Sequence, residues 1–313
     1  MIKSNFKKIF HQFLITQSKY NYIDVGSSLP LNNFVSYFFN IFNIYLFEPN
    51  SREYSKLSEK FKKKKNIFIS KKAIGLKKKL SVNLYSNKNL SSVLKINKIY
   101  NDIHPNYKYK GQTTIKGVKL DKILANNFNS ILKIDAQGYG YECLVSAKNI
   151  LKKIPVIIIE AEKVQMYRNQ KLDYEISNFL NKYNYMLVGE TTNYKKSLHK
   201  KNRKLNFYFN EFTYAKDLLF VKNFFEKKID KNQTILIILC LILFHFNDLA
   251  YYLIQKSKID KNLKIKLNEL IRYRIKDNKK LIESKFHKLQ KKKISLKKFC
   301  QILNWNDEIT IFK

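Results

Sequence analysis

Residues 21–30 read NYIDVGSSLP. Tyr22 to Val25 form a short apolar run broken by one acid, which predicts a buried strand, and Gly26 predicts the turn that follows. Pro30 then predicts the first position of a helix, where the amide that proline lacks would be unpaired anyway. In the next twelve residues, LNNFVSYFFNIF, the residues Leu31, Phe34, Val35, Phe38 and Phe42 keep helical spacing. A strand, a glycine turn and a helix make up the opening of a nucleotide-binding unit. A pyrophosphate, however, needs close backbone approach and several free amides, which a dinucleotide loop obtains from three glycines. This loop has one. S-adenosyl-L-methionine carries an adenosine but no phosphate, and its carboxylate could be met by Ser27 and Ser28.

Working outward, apolar runs recur at Tyr22–Val25, Ile44–Phe47, Ile67–Ile69, Ile131–Ile134, Val156–Ile159 and Tyr185–Val188, with room for helices between them. Each reads as a central strand, apolar on both faces, so the expected fold is α/β with a mostly parallel sheet. Leu218–Val221 reads as a last strand, returning in a hairpin. From Asn223 onward there is no glycine, and residues 251–313 hold 18 Lys or Arg against 6 Asp or Glu. The chain is therefore divided, as an expectation, into a sheet domain at 1–222 and a basic helical extension at 223–313. The apolar run Ile235–Phe244 is about half the length of a bilayer span and reads as a buried helix. Met1 to Ser18 mixes lysines through its apolar residues, unlike a signal peptide.

In open α/β sheets ligands bind beyond the carboxyl ends of the strands. Those ends carry Asp24, Glu48, Asp135, Glu160 and Glu162. Glu48 lies 24 residues after Asp24, at the tip of the second strand, the position from which a carboxylate accepts hydrogen bonds from both hydroxyls of a ribose. Asp135, beside Gly138, can orient a substrate or cofactor or act as a base. Glu160 can meet an acceptor or serve a structural bond. His104 lies in the loop NDIHPNYKYKG, where it could cover a site. No metal-ligand spacing is present, and none of Cys143, Cys240 and Cys300 has a paired spacing, which points to a reducing compartment without structural zinc.

Several separated segments resemble the FkbM-type methyltransferases, a branch of the S-adenosylmethionine-dependent Rossmann-like enzymes. YIDVGSS is similar to that family's first motif, LFEPN to its second-strand motif, and TTIKGVKLDKIL, with Leu120 and Asp121, to the segment before the fourth strand. LKIDAQGYGYECLVSA is similar to the Lys-Ile-Asp-x-Gln/Glu-Gly block, and the segment from VIIIEAEKVQMYRNQ onward to the closing strand, loop and helix. The likeness covers roughly residues 20–222. Gly140 stands where the family commonly has Glu, leaving Glu142 as the nearby acid, and Ser146 stands where it commonly has Gly.

The resemblance implies a class I Rossmann-like sheet of about seven strands with an antiparallel last strand. It also implies S-adenosyl-L-methionine as cofactor and O-methylation of a sugar, glycan precursor or related metabolite. By the same resemblance Asp24, Gly26, Ser27, Ser28, Glu48, Pro49 and Ala73 would hold the cofactor, with Asp24 acting through the loop and Ala73 beside the adenine. Asp135 and Glu160 would be catalytic.

A formal charge of +37 suggests nucleic acid, an anionic membrane surface or an acidic polymer as partner. The joint excess of Lys, Asn, Ile, Tyr and Phe fits A- and T-rich codons equally well. A nucleic-acid methyltransferase finds support in the basic loop Lys195–Lys204, but no Asn/Asp-Pro-Pro-Tyr/Phe motif and no aromatic RNA-binding signature accompany it. A third reading is a binding protein that keeps the fold without the chemistry. The expected location is cytoplasmic, with no transmembrane segment. The basic tail is read as a surface for a partner, a membrane or a second copy.

Overall fold

The computed structural model describes residues 5–15, 20–87, 90–103, 107–124, 129–196 and 212–290. Its centre is a seven-stranded sheet in the order β3-β2-β1-β7-β8-β10-β9. The strands are β1 (Asn21–Val25), β2 (Asn43–Phe47), β3 (Ile67–Ser70), β7 (Ser130–Ile134), β8 (Val156–Glu162), β9 (Tyr185–Lys196) and β10 (Phe212–Lys222). All seven apolar runs are therefore strands. β10 runs antiparallel to both β8 and β9, and the pairs from β3 to β8 are parallel, giving the expected Rossmann-like arrangement with an antiparallel strand near one edge.

Two runs read as central are edges: among the described residues β3 pairs only with β2, and β9 only with β10. Both edges are partly open to solvent, with Phe68 and Leu187 exposed, and apolar composition alone does not separate such an edge from a centre. A second sheet, β4 (Ala73–Ile74), β6 (Tyr109–Val118) and β5 (Lys79–Tyr85), lies outside the sequence expectations. Its strands are rich in Lys, Thr, Asn and Gly and bury few positions, so no apolar run announces them.

Alternation along the strands builds two cores. Tyr22, Ile44, Ile131, Val156, Ile158, Leu219 and Val221 face one side. There they meet α1 (Asn5–Ile15), α7 (Lys231–Leu243), α8 (Asn247–Lys256) and α9 (Lys261–Gln290). Ile23, Val25, Leu132, Ile134, Ile157, Ile159, Leu218 and Phe220 face the other side. Their partners include α4 (Leu120–Ile123), α5 (Gly140–Val145) and α6 (Asp173–Asn181).

The run at Ile235–Leu243 is buried along its whole length within α7, as a helix apolar on every face must be. Arg274 on α9 donates to the Leu243 carbonyl at 2.6 Å, closing the end of α7, and its guanidinium lies 4.8 Å from the Phe6 ring of α1. No described helix is long and apolar enough to cross a membrane.

The helix expected after Pro30 is not formed. Pro30 follows a cis peptide and sits in a bend, Asn33–Tyr37 form a short 3-10 segment, and residues 38–41 continue as turns. Asn and aromatic residues are weak helix formers, and Asn40 takes a left-handed backbone. The apolar spacing is still used, because Val35, Phe38 and Phe42 are buried against the first core.

Helix α2 (Ser51–Phe61) is the helix that returns the chain to β3. The Asn50 side chain caps it, accepting from the Arg52 and Glu53 amides at 3.0 and 3.3 Å, and Leu57 and Phe61 bury its inner face.

Candidate active site

A cavity of about 690 Å³ opens at the carboxyl ends of the parallel strands. Gly26, Ser28, Glu48, Pro49, Ala73, Asp135 and Glu160 all line it, so seven of the nine expected site residues converge. Asp24 and Ser27 do not line it.

The turn after β1 is fixed by main-chain bonds. The amides of Gly26 and Ser27 both donate to the Phe47 carbonyl, at 2.9 and 3.1 Å, and the Ser27 hydroxyl donates to the Asp24 carbonyl at 2.9 Å. Ser27 is 1% exposed, so it shapes the loop and leaves Ser28 as the exposed hydroxyl at the cavity. Gly26 has φ +84°, and a Cβ there would lie 1.8 Å from the Asp135 carbonyl oxygen. Its freedom is used to bring the β1 turn against the β7 turn.

Glu48 projects from the tip of β2 and accepts from the Asn50 amide at 2.7 Å. This bond fixes one carboxylate oxygen while the residue, 8% exposed, lines the cavity. Ala73 and Ile74 of β4 continue the wall, and the small sheet closes it with Val82, Leu84, Thr113 and Ile115.

Beyond β1 the site is acidic around one buried cation. Lys133, 4% exposed, lies 3.3 Å from Asp135 and 3.8 Å from Asp24, its register partner across β1 and β7. Burial opposes its charge, but Asp135, Asp24, Asp217 and Glu160 together hold the ammonium above its ordinary pKa. Asp24 receives the Tyr22 hydroxyl at 3.3 Å, and burial raises its pKa against the pull of Lys133. Its carboxylate thus faces Tyr22 and Lys133, while its carbonyl meets the loop through the Ser27 hydroxyl. Gln137 donates to Asp135 at 3.0 Å and in turn receives the Tyr167 hydroxyl at 3.2 Å.

Glu160 sits directly across from Asp217 in the β8–β10 register, and Tyr194 of β9 donates to Asp217 at 3.4 Å while lining the cavity. Burial first, then the charges of Asp135, Glu162 and Asp217, push the Glu160 carboxyl well above the usual range despite Lys133. Burial likewise raises Glu162 to about 8. Lys133, Asp217 and Tyr194 were not singled out in the sequence. The first sits inside an apolar run, and the others come from an antiparallel hairpin whose register no local pattern reveals.

Other motif residues are structural. The Asp121 carboxylate accepts from the Asn149 and Ile150 amides at 3.1 and 3.0 Å. Ser146 is fully buried, donating to the Cys143 carbonyl at 2.7 Å. Gly140 opens α5, where an added Cβ would meet Ile159 at 3.1 Å, and Glu142 is not among the residues that line the cavity. Cys143 and Cys240 are buried thiols. His104, Cys300 and, beyond Lys196, the basic loop lie outside the described residues. Among the described residues no group of three His, Cys, Asp or Glu side chains could hold a metal ion.

The donor set suits a cationic nucleoside. A glycine turn without a phosphate cradle, a carboxylate at the β2 tip and further acids along the strand ends share one cavity. A comparison with curated proteins finds no match. Among solved structures, a precorrin-6y C5,15-methyltransferase from Geobacter metallireducens GS-15 is similar at 12% identity and a TM-score of 0.35, over 71% of this chain and 90% of its own. An rRNA methylase from Streptococcus thermophilus is similar at 10% identity and a TM-score of 0.33, over 71% of this chain and 98% of its own. Residues 24–187, more than half of the chain and running from the acid of β1 into β9, match the model of the methyltransferase FkbM domain, and the protein belongs to that family of methyltransferases.

Proposed function

We propose that the protein is an S-adenosyl-L-methionine-dependent O-methyltransferase acting on a hydroxyl of a sugar, glycan precursor or related metabolite. The observation that carries this reading is the single cavity joining Glu48 at the tip of β2 to Asp135 and Glu160 at the tips of β7 and β8. Glu48 would hold the ribose hydroxyls, Pro49, Ala73 and Ile74 would flank the adenine, and Gly26 and Ser28 would meet the methionine end, with Asp24 and Ser27 setting the turn. The cofactor supplies the electrophilic methyl group when bound.

For the acceptor, the residues need to place an oxygen in line with the reacting bond at about 3 Å and to give its proton a destination. Asp135, held by Lys133 and Gln137, is fixed enough to orient the acceptor. Glu160, with a carboxyl shifted upward, is closer in pKa to a hydroxyl than an ordinary carboxylate and suits proton acceptance. We read residues 1–222 as the catalytic unit and 223–313 as an extension whose described part is a helical layer, with α7 packed against the sheet.

Methyl transfer to cell-envelope sugar precursors, followed by mass detection of one added methyl group, tests the assignment. The charge of +37 favours nucleic acid as a second acceptor class. Label found only in RNA, with binding that weakens steeply in salt, would replace the glycan reading.

A further inference from the structure

The strand ends bring more acid into one place than the buried cation can balance. Strand alternation puts Asp24, Lys133, Glu160 and Asp217 in line with Tyr22, Ile131, Ile158 and Leu219, on one face of the sheet. Lys133 is shared between Asp24 and Asp135. Glu160 and Asp217 are cross-strand partners, and like charges directly opposite one another repel. The cavity's own cations, Arg52 and Lys72, stand at the start of α2 and just before β4, toward the β2 side of the sheet. Three strand steps separate β2 from β8, about 14 Å at ordinary strand spacing.

Among the described residues, charged neighbours stand around Glu160 on three strands and the turn after β7. Lys133 and Asp135 face it from β7, Asp217 from β10 and Glu162 from its own strand. The remaining ionisable neighbours among the described residues are phenols, Tyr194 of β9, Tyr214 of β10, Tyr100 of α3 (Ile99–Ile103) and Tyr167 of the loop after β8, neutral at their ordinary pKa and shifted further upward by burial. The small sheet contributes uncharged side chains to the cavity, among them Val82, Leu84, Thr113 and Ile115. Among the described residues, one ammonium, that of Lys133, stands against five carboxyl groups, those of Asp24, Asp135, Glu160, Glu162 and Asp217. The arrangement therefore favours protonated carboxyl groups in this cluster until a second positive charge arrives, and of the two glutamates of β8 Glu160 is the one that lines the cavity.

We propose that Glu160 is a proton-releasing counter-charge for the cofactor: it carries a proton in the ligand-free protein, loses it to solvent when a sulfonium enters the cavity, and keeps it when a neutral thioether enters. The proposal rests on the S-adenosylmethionine reading above and deepens it. The balance closes over a turnover. Binding of the cation converts the Glu160 acid to a carboxylate and sends one proton to solvent. Methyl transfer breaks the sulfur–methyl bond and forms the oxygen–methyl bond, and the acceptor's proton returns to the Glu160 carboxylate as the sulfonium becomes a thioether. Glu160 is thus a base only while the methyl donor is present.

Calorimetry tests this without an acceptor. Titrations of the full chain with S-adenosylmethionine and with S-adenosylhomocysteine, in phosphate and in Tris at pH 7, give the protons released on binding from the difference between buffers. The expected result is up to about one proton more for the sulfonium ligand. Between pH 6 and 8 its Kd should fall by up to about tenfold per pH unit while that of the thioether changes little. Glu160→Gln should abolish the difference between the two ligands, and Glu162→Gln should preserve it. Equal proton release by both ligands in the unaltered protein overturns the proposal alone. A difference that survives in folded Glu160→Gln overturns the assignment to Glu160. Binding of neither ligand overturns the cofactor reading and this proposal with it.

Discussion

Gly26 and Asp135 meet main chain to main chain, so closely that a methyl group on Gly26 would sit 1.8 Å from the Asp135 carbonyl oxygen. Gly26→Ala is therefore expected to separate the β1 and β7 turns. The left-handed backbone alone costs roughly 1–3 kcal/mol in a non-glycine residue, and the collision adds to it. Urea unfolding should show a lowered midpoint, and calorimetry should show weakened cofactor binding even in the folded fraction.

Glu48 is expected to contribute binding and little to the fold. Hydrogen bonds to a charged group are worth about 1.5–3 kcal/mol, so Glu48→Ala should weaken S-adenosylmethionine binding about ten- to a hundredfold. The Asn50 amide loses a partner, but the Asn50 side chain still caps α2, and the melting temperature should change little.

Lys133 and Asp24 should behave as a pair. Lys133→Met leaves buried carboxylates without their cation, and breaking such a pair costs about 3–5 kcal/mol. Adding Asp24→Asn should recover part of the loss. A double-mutant cycle from chemical denaturation measures the coupling, and simple additivity would show that the two residues act independently.

Stability should fall from mildly acidic to mildly alkaline pH. Glu162 is raised by burial from 4.5 to about 8, so the unfolded chain releases this proton first as pH rises. The native state therefore loses stability between about pH 4.5 and pH 8 and levels off above. Glu162→Gln should raise the melting temperature by a few degrees at pH 8.5 and hardly at all at pH 4. Thermal melts at the two pH values check the sign.

Arg274→Ala should loosen the helical layer, because it removes both the bond to the Leu243 carbonyl and the contact with the Phe6 ring. A loss of about 1–3 kcal/mol is expected, with faster amide exchange at the end of α7 than in β7.

The large sheet was legible because its strands are apolar on both faces, whatever their neighbours. Glu48, Asp135 and Glu160 were legible for a related reason: an acid ending an apolar run marks the rim of a parallel sheet. Pro30 misled, since helical spacing around Phe34 and Phe38 records burial but not backbone conformation. The small sheet left no trace, because β5 and β6 cover a cavity with alternating Val, Leu, Thr and Ile among exposed polar residues. Asp217 and Tyr194 were hidden for a third reason, as their place beside Glu160 is set by hairpin register, a long-range property.

The order β8-β10-β9 bears on how this chain can be shortened. The family match ends at residue 187, inside β9, whereas the strand between β8 and β9 is β10, which begins at Phe212. A fragment cut to the matched segment would leave the backbone of β8 open to the next molecule and strip α7 from the apolar face beneath it. Such a fragment should be recovered as aggregate, so the smallest useful expression unit runs through the C-terminal helices.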